Sequence, residues 1–115
     1  MAAAHFVDAP ELDRLNAAGS PLVVCFLATW NRRCQGFMPG FEAAAVRFSQ
    51  AATWVCVDVD ESSALTARFE VCSVPTVLLL QRGRVLDRDS SLSLTTIEAR
   101  LAAGPDRTGG TQGAD

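Results

Sequence analysis

The chain has 115 residues, of which 49% are apolar and 20% are charged, and its formal net charge is −3. This length and composition predict one globular domain with a hydrophobic core rather than a disordered chain. The ten basic residues are all arginine, and the single histidine is His5. A Schiff-base lysine and a Ser-His-Asp or Cys-His catalytic pair are therefore not expected. The net acidity also disfavours nucleic acid as a partner.

Neither an export signal nor a membrane span is evident in the sequence. No stretch of about 18 uncharged apolar residues occurs, and the first residues lack a basic leader and soon reach Asp8. We therefore expect a cytoplasmic protein with no membrane partner, in a compartment that keeps thiols reduced. No cysteine belongs to a C-x-x-C pair, so neither a metal site nor a cofactor is expected. The four cysteines are Cys25, Cys34, Cys56 and Cys72.

In chain order, the first half predicts an edge strand, a helix, a buried strand and a second helix. Residues 5–7 are β-prone and suit a short edge strand. Asp8 can cap a helix that Gly19 ends, because Asp is a good N-cap and glycine is a common C-terminal stop. Residues 21–28 are continuously apolar, as in a strand covered on both faces. Apolar residues at helical spacing then predict a helix over about 32–50.

The second half predicts three more strands and two more helices. Alternating valines, a turn that contains glycine and helical apolar spacing indicate where they lie. The strands are expected over residues 53–59, 76–81 and 85–88, and the helices over 61–69 and 95–103. The last two strands should form a hairpin.

The order of these elements predicts the fold class. Two strands joined by a helix should be parallel with a right-handed crossover, and the hairpin adds antiparallel strands. The expected class is therefore α/β, with a central mixed sheet of four to five strands flanked by helices on both faces. We expect residues 1–103 to form the domain. Residues 104–115 contain almost nothing apolar, which predicts a flexible tail or a linker.

The junction between the buried strand and the second helix carries the candidate chemistry. It reads Thr-Trp-Asn-Arg-Arg-Cys at residues 29–34, and sites in open α/β sheets form at such strand ends. A thiol in the first helical turn feels the positive end of the helix dipole, and the two arginines add positive charge. Cys34 therefore has the surroundings of a reactive thiol. The alternative is a buried, inert cysteine.

In several places, residues 6 to 103 resemble the thioredoxin family. The shared features are an apolar strand ending in Ala-Thr-Trp at 28–30, the helix thiol Cys34, the helix proline Pro39, Val-Asp-Val-Asp at 57–60 and Val-Cys-Ser-Val-Pro-Thr at 71–76. The resemblance implies a thioredoxin-like fold in which Pro75 is a cis proline that faces Cys34. It also implies that the backbone of Val74 pairs with an extended peptide of a protein client or thiol partner.

The same resemblance implies a set of binding residues around the thiol. Trp30 would be a platform of the peptide groove, and the alternative is that it packs in the core. Arg32 and Arg33 would either steer acidic peptides or form a solvated face. The expected binding residues are Trp30, Asn31, Arg32, Arg33, Val74, Pro75 and Thr76.

One departure from the family pattern matters most. The family motif is Trp-Cys-x-x-Cys, and this chain has Asn31 where the attacking cysteine would stand, while Cys34 matches the resolving cysteine. A dithiol–disulfide cycle needs attack by one thiolate and release by a second, so dithiol reductase turnover should be lost or weak. Asn is among the best N-cap residues, and Asn31 can hold the start of the helix in place.

The remaining cysteines are possible auxiliary thiols. By resemblance, Cys25 stands where the family often has a buried acid, and Cys56 stands where it often has a lysine. They either supply a new sulfur partner for Cys34 or act as small apolar fillers that replace a buried ion pair. Cys72, three residues before Pro75, is either an exposed thiol able to form mixed disulfides or a bystander.

Two functions follow as hypotheses, and they leave open whether the protein is an enzyme. The first is an atypical thioredoxin-like protein of thiol–disulfide homeostasis, in which Cys34 forms mixed disulfides with a protein or with glutathione. The second is a non-catalytic binding module of the same fold, such as the N-terminal domain of a multidomain monothiol glutaredoxin. A monothiol glutaredoxin itself fits less well, because the sequence after Cys34 is Gln-Gly-Phe rather than Gly-Phe-Ser.

Overall fold

The computed structural model describes residues 4–103. Its nine elements are β1 (His5–Phe6), α1 (Ala9–Ala18), β2 (Leu22–Leu27), α2 (Arg32–Arg47), β3 (Thr53–Asp58), α3 (Ser63–Arg68), β4 (Thr76–Gln81), β5 (Arg84–Asp89) and α4 (Thr95–Ala103). Each lies where the sequence predicts an element of that type. The expected tail, residues 104–115, lies outside the described residues.

The five strands form one mixed sheet in the order β1-β3-β2-β4-β5. The first three neighbours, β1, β3 and β2, are parallel, and β4 and β5 add to the sheet as antiparallel strands. The predicted mixed sheet is therefore confirmed, with the upper of the two predicted strand counts. Since β2 and β3 run parallel, their carboxyl ends meet at the same edge of the sheet.

The helices cover both faces of the sheet, as predicted. Buried residues of α2 and α4, including Phe41 and Ile97, belong to one apolar cluster. Leu12 of α1 and Leu65 of α3 belong to the other cluster. Strand β2 lies between the two, and its side chains alternate between the clusters. This explains the uninterrupted apolar run that predicts the strand, because all of its residues are buried.

The structure differs from the prediction mainly at element ends. Helix α2 ends at Arg47 rather than near residue 50, and β5 is longer than predicted because it starts at Arg84 and reaches Asp89. The two residues of the hairpin loop, Arg82 and Gly83, both have positive φ (52° and 82°), which is typical of the tight turns that favour hairpins. Within residues 4–103, no helix combines the length and apolar character needed to cross a bilayer.

Candidate functional site at the β2–α2 junction

A local hydrogen-bond network fixes the start of α2. Asn31 has an extended backbone (φ −85°, ψ 128°), and its side-chain oxygen accepts a hydrogen bond from the Cys34 N–H at 3.0 Å. The Asn31 carbonyl accepts the N–H of Gln35 at 3.0 Å, and the Gln35 side chain donates to the Thr29 carbonyl at 2.9 Å. Asn31 therefore acts as the N-cap that its residue type predicts. Both its side chain and its carbonyl bond to the first turn of α2, and the Gln35 side chain bonds back to Thr29.

Trp30 lies on the surface beside this turn. Its side chain is 68% exposed, and its indole N–H donates to a carboxylate oxygen of Asp60 at 2.7 Å. Asp60 follows β3 and is itself placed by a bond from its backbone N–H to the Asp58 side chain at 2.9 Å. The indole is thus anchored to the loop after β3 while most of the side chain stays in contact with solvent. Asp60 is not among the site residues that the sequence predicts, although its place after a strand parallel to β2 is a signal for it.

Cys34 lies beneath the surface, in the first turn of α2. Its exposed fraction is 0%, and it belongs to the apolar cluster between the sheet and helices α2 and α4. The thiol sits in the first turn of the helix, and no solvent reaches it in this conformation. Of the two alternatives for Cys34, the structure shows the burial, and the reactivity of the thiol stays a prediction.

The segment before β4 lies at the same edge of the sheet. Thr76, the first residue of β4, pairs with Phe26 near the end of β2, so residues 74–75 lie beside the β2–α2 junction. The Val74–Pro75 peptide bond is cis. The Thr76 hydroxyl donates to the Ser73 carbonyl at 2.6 Å. Within residues 4–103, no loop or turn hydrogen bond engages the backbone of Val74.

Two further thiols lie directly below Cys34. Cys25 of β2 and Cys56 of β3 are register partners, and both belong to the same buried cluster as Cys34. Burial raises the pKa of the Cys56 thiol to about 12, and the nearby Glu42 adds to the effect. Burial also raises the pKa of Cys25, and the neighbouring thiols Cys56 and Cys34 contribute to that increase. Cys25 and Cys56 are free thiols, and their raised pKa values keep both protonated at neutral pH.

Cys72 is separate from this cluster. It is exposed, and its sulfur lies 3.7 Å from the Glu70 carbonyl. Glu70 adopts a left-handed backbone conformation (φ 55°) in the loop after α3. Cys72 is therefore the thiol that solvent reaches most directly.

Arg32 and Arg33 give the junction a local positive charge. Both are exposed residues of the first turn of α2, and neither forms an ion pair with any residue in the described range 4–103. No acidic residue occupies this first turn. Their charge therefore adds to the positive end of the helix dipole instead of being neutralised.

These features define a class of protein: a mixed α/β sheet with a helix thiol at the carboxyl end of a central strand and a cis-proline loop beside it. The sequence model of the family described as Thioredoxin matches residues 7–103. A thioredoxin from Mycoplasmoides gallisepticum is 34% identical over 84 residues, which are 73% of this chain and 83% of the relative. Thioredoxin-2 of Saccharomyces cerevisiae is 34% identical over 96 residues, with coverage of 83% and 91%.

A solved structure agrees with the sequence relatives. The X-ray structure of Fasciola hepatica thioredoxin superimposes with a TM-score of 0.77 at 26% identity, and the match covers 88% of this chain and 98% of that one. The chain therefore belongs to the thioredoxin family of redox proteins.

Proposed function

We propose that this protein has lost dithiol disulfide reductase turnover and acts by holding an extended segment of a protein partner at the surface formed by Trp30, Asn31 and the Val74–Pro75 loop. The observation that carries the proposal is the arrangement of Asn31 and Cys34. The position that matches the attacking cysteine of the family holds a helix cap, and the remaining thiol is 0% exposed.

The loss of turnover follows from the chemistry of the exchange reaction. A thiolate must attack a substrate sulfur, and a second thiol must then release the product from the mixed disulfide. The amide of Asn31 cannot perform the first step. Cys34 could take over only if its sulfur became accessible, and Cys25 below it offers a protonated thiol rather than a carboxylate base.

The binding half of the proposal rests on what the junction leaves available. Trp30 presents an aromatic face to solvent, and large aromatic surfaces are frequent anchors in interfaces. The backbone of Val74 has no loop or turn hydrogen bond within residues 4–103, which leaves it available to a peptide that adds as a strand. Such a site gains affinity from main-chain hydrogen bonds and specificity from side-chain contacts.

A second candidate function uses the same surface. Cys34 lies in the first turn of α2 beside the exposed junction, and this supports, after local opening, attack of its sulfur on a disulfide of a protein client or on oxidised glutathione, with the second sulfur of that disulfide leaving as a thiol. A non-catalytic domain joined to a monothiol glutaredoxin would show the binding without the chemistry. The proposal places the protein in the cytoplasm, because its four unpaired cysteines suit a reducing compartment.

Trp30 provides the test of binding. The chain has two tryptophans, and Trp54 is buried, so a change in the emission of the exposed Trp30 reports on the junction. We would titrate blocked, Trp-free extended hexapeptides of Val and Thr, and the same peptides with N-methylated central residues. The expected result is a saturable blue shift that N-methylation weakens, and Trp30→Phe, which lacks the reporting ring, assigns that shift to Trp30. An unchanged emission with every peptide, or an equal response to the N-methylated set, would overturn the proposal.

A further inference from the structure

A cleft of about 490 Å³ opens on the side of α2 that faces the loop before α4. We call it the α2 cleft. It starts in the helix turn that carries Cys34 and continues along one face of α2 at helical spacing. Its lining residues are Arg33, Gly36, Phe37, Gly40, Leu92 and Leu94.

Two glycines line the α2 cleft, and no close approach among residues 4–103 requires either of them. A Cβ atom built at Gly36 or at Gly40 meets no atom within 4 Å, and neither residue has a positive φ. Glycine inside a helix costs about 1 kcal/mol relative to alanine. The fold therefore bears this cost at two positions without any close approach of its own that would need it, and the helix backbone is left open to an outside chain.

The walls of the α2 cleft are apolar. Phe37 and Leu94 are partly buried against the core, and Leu92 is 45% exposed at the rim. Leu92 also has a left-handed backbone conformation (φ 64°), which is unfavourable for a branched side chain. A large apolar side chain of a partner would cover this surface and fill the space above the glycines.

The charges around the junction favour a partner segment with negative charge. Arg33 is the charged residue in the lining of the α2 cleft, and it has no ion-pair partner among residues 4–103. A different cleft, which includes Thr29 and so also reaches the junction, has the opposite charge. Its acidic lining residues are Asp8, Glu11, Asp58 and Glu61. An acidic segment is therefore attracted to the α2 cleft and repelled from its neighbour.

We infer that the α2 cleft is a docking site for an acidic, apolar segment of a protein partner. A large apolar side chain of that segment lies over Gly36 and Gly40, and a neighbouring carboxylate pairs with Arg33. The inference rests on the proposed function, because it extends the surface of Trp30 and Asn31 along the same helix and names the chemistry of what binds there.

The test uses a fluorescein-labelled blocked peptide with the core Glu-Phe-Leu-Glu, and a matched peptide with Lys in place of Glu. Anisotropy is expected to show that the acidic peptide binds about tenfold more tightly than the basic one. Gly36→Leu should reduce binding about tenfold or more because it fills the floor. The thermal midpoint should hold or rise, because the new side chain meets open space and favours helix. Ala67→Leu in α3, on the opposite face of the sheet, is the matched control.

Charge reversal gives a variant that does not depend on packing. Arg33→Glu should also reduce binding of the acidic peptide about tenfold and should reverse the preference between the two peptides. Equal binding of both peptides, or full binding by both Gly36→Leu and Arg33→Glu, would overturn the inference. If those variants bind fully and the Val and Thr peptides still shift the Trp30 emission in a way that N-methylation weakens, the α2 cleft fails while the proposed function stands. If the α2 cleft variants lose peptide binding but the Val and Thr peptides leave the Trp30 emission of the wild type unchanged, the proposed function is contradicted instead.

Discussion

The β2–α2 junction and the buried parts of β2 and β3 differ in the interactions that hold them together. The junction is exposed and polar, and Asn31, Trp30 and Gln35 fix its geometry through their own hydrogen bonds. The interior is apolar, and Cys25 and Cys56 lie there as neighbours in register. The difference teaches that the shape of the site depends on caps and short polar contacts, whereas the proposed loss of turnover depends on Asn31 in place of a thiol and on buried thiols in place of a base.

The two buried thiols, Cys25 and Cys56, have the properties of apolar side chains. Cys25 and Cys56 have raised pKa values, and burial is the largest cause for both. A protonated thiol in an apolar cluster behaves as a small apolar side chain. Of the two roles that the sequence leaves open for these residues, the filler role agrees with their surroundings, and a sulfur bond to Cys34 stays a prediction.

The largest expected difference concerns how fast a reagent in solution modifies exposed and buried thiols. Under native conditions, Ellman's reagent should modify one cysteine per chain rapidly, namely Cys72. The other three should react more than about 1,000-fold more slowly, since reaching them needs an opening of the core that costs about 4 kcal/mol or more. Cys72→Ser should remove the fast phase. A second fast thiol that disappears in Cys34→Ser would show that the junction exposes its sulfur.

The next largest effect is a gain of function at the junction. Asn31→Cys creates two thiols separated by two residues at the start of α2, and we expect insulin reduction with dithiothreitol to rise roughly 100-fold over the wild type. Asn31→Ser is the control, because it keeps a cap without adding a thiol. An Asn31→Cys protein that stays at background would mean that the junction has lost its shape as well as its nucleophile.

The pH dependence of the free energy of unfolding in alkaline solution tests the buried thiols Cys25 and Cys56. Both thiols have folded pKa values above their unfolded values, so folding gains stability from them below about pH 9 and loses it as the pH rises toward about 12. Each thiol that ionises only in the unfolded state lowers the free energy of unfolding by about 1.4 kcal/mol per pH unit. The sequence has no tyrosine and no lysine to obscure this.

Urea unfolding at several pH values between about 9 and about 11 measures the slope. The pair predicts a decrease of about 2.7 kcal/mol per pH unit, and Cys56→Val should remove about half of it. A slope that Cys56→Val leaves unchanged would show that Cys56 is not protonated in the fold as its burial requires.

The smallest expected effect concerns the cap. Asn31→Ala should lower the free energy of unfolding by about 1 kcal/mol, because the Cys34 N–H then loses its side-chain acceptor. Asn31→Asp should stay within about 0.5 kcal/mol of the wild type, since Asp caps about as well as Asn. Equal stability of all three proteins would show that the junction does not depend on this hydrogen bond.

Much of this arrangement could be predicted from local sequence, and the rest depends on tertiary pairing. Every strand and helix has a local signature, and Asn31 as a cap is a matter of residue type and position. The bond between Trp30 and Asp60 joins residues thirty apart. The parallel pairing of β2 and β3 places both residues at the same sheet edge, but the bond itself also depends on the register of the two strands, which local sequence does not give. The extension of β5 to Asp89 follows from pairing with β4, and hairpin register is not visible in composition.

The α2 cleft marks another limit of sequence reasoning. Gly36 and Gly40 look like weak points in a helix until the structure shows the open space beside them. Leu92 joins the α2 cleft from a loop whose conformation has no clear sequence signal. Such surfaces form only when separate elements pack together.

Insulin reduction by the wild-type protein and by Cys34→Ser, assayed side by side with dithiothreitol as the electron source, tests the central claim most directly. The account predicts that both proteins match the rate without protein. A wild-type rate clearly above background that Cys34→Ser abolishes would contradict it, because the covered thiol would then be carrying out the exchange that Asn31 cannot begin.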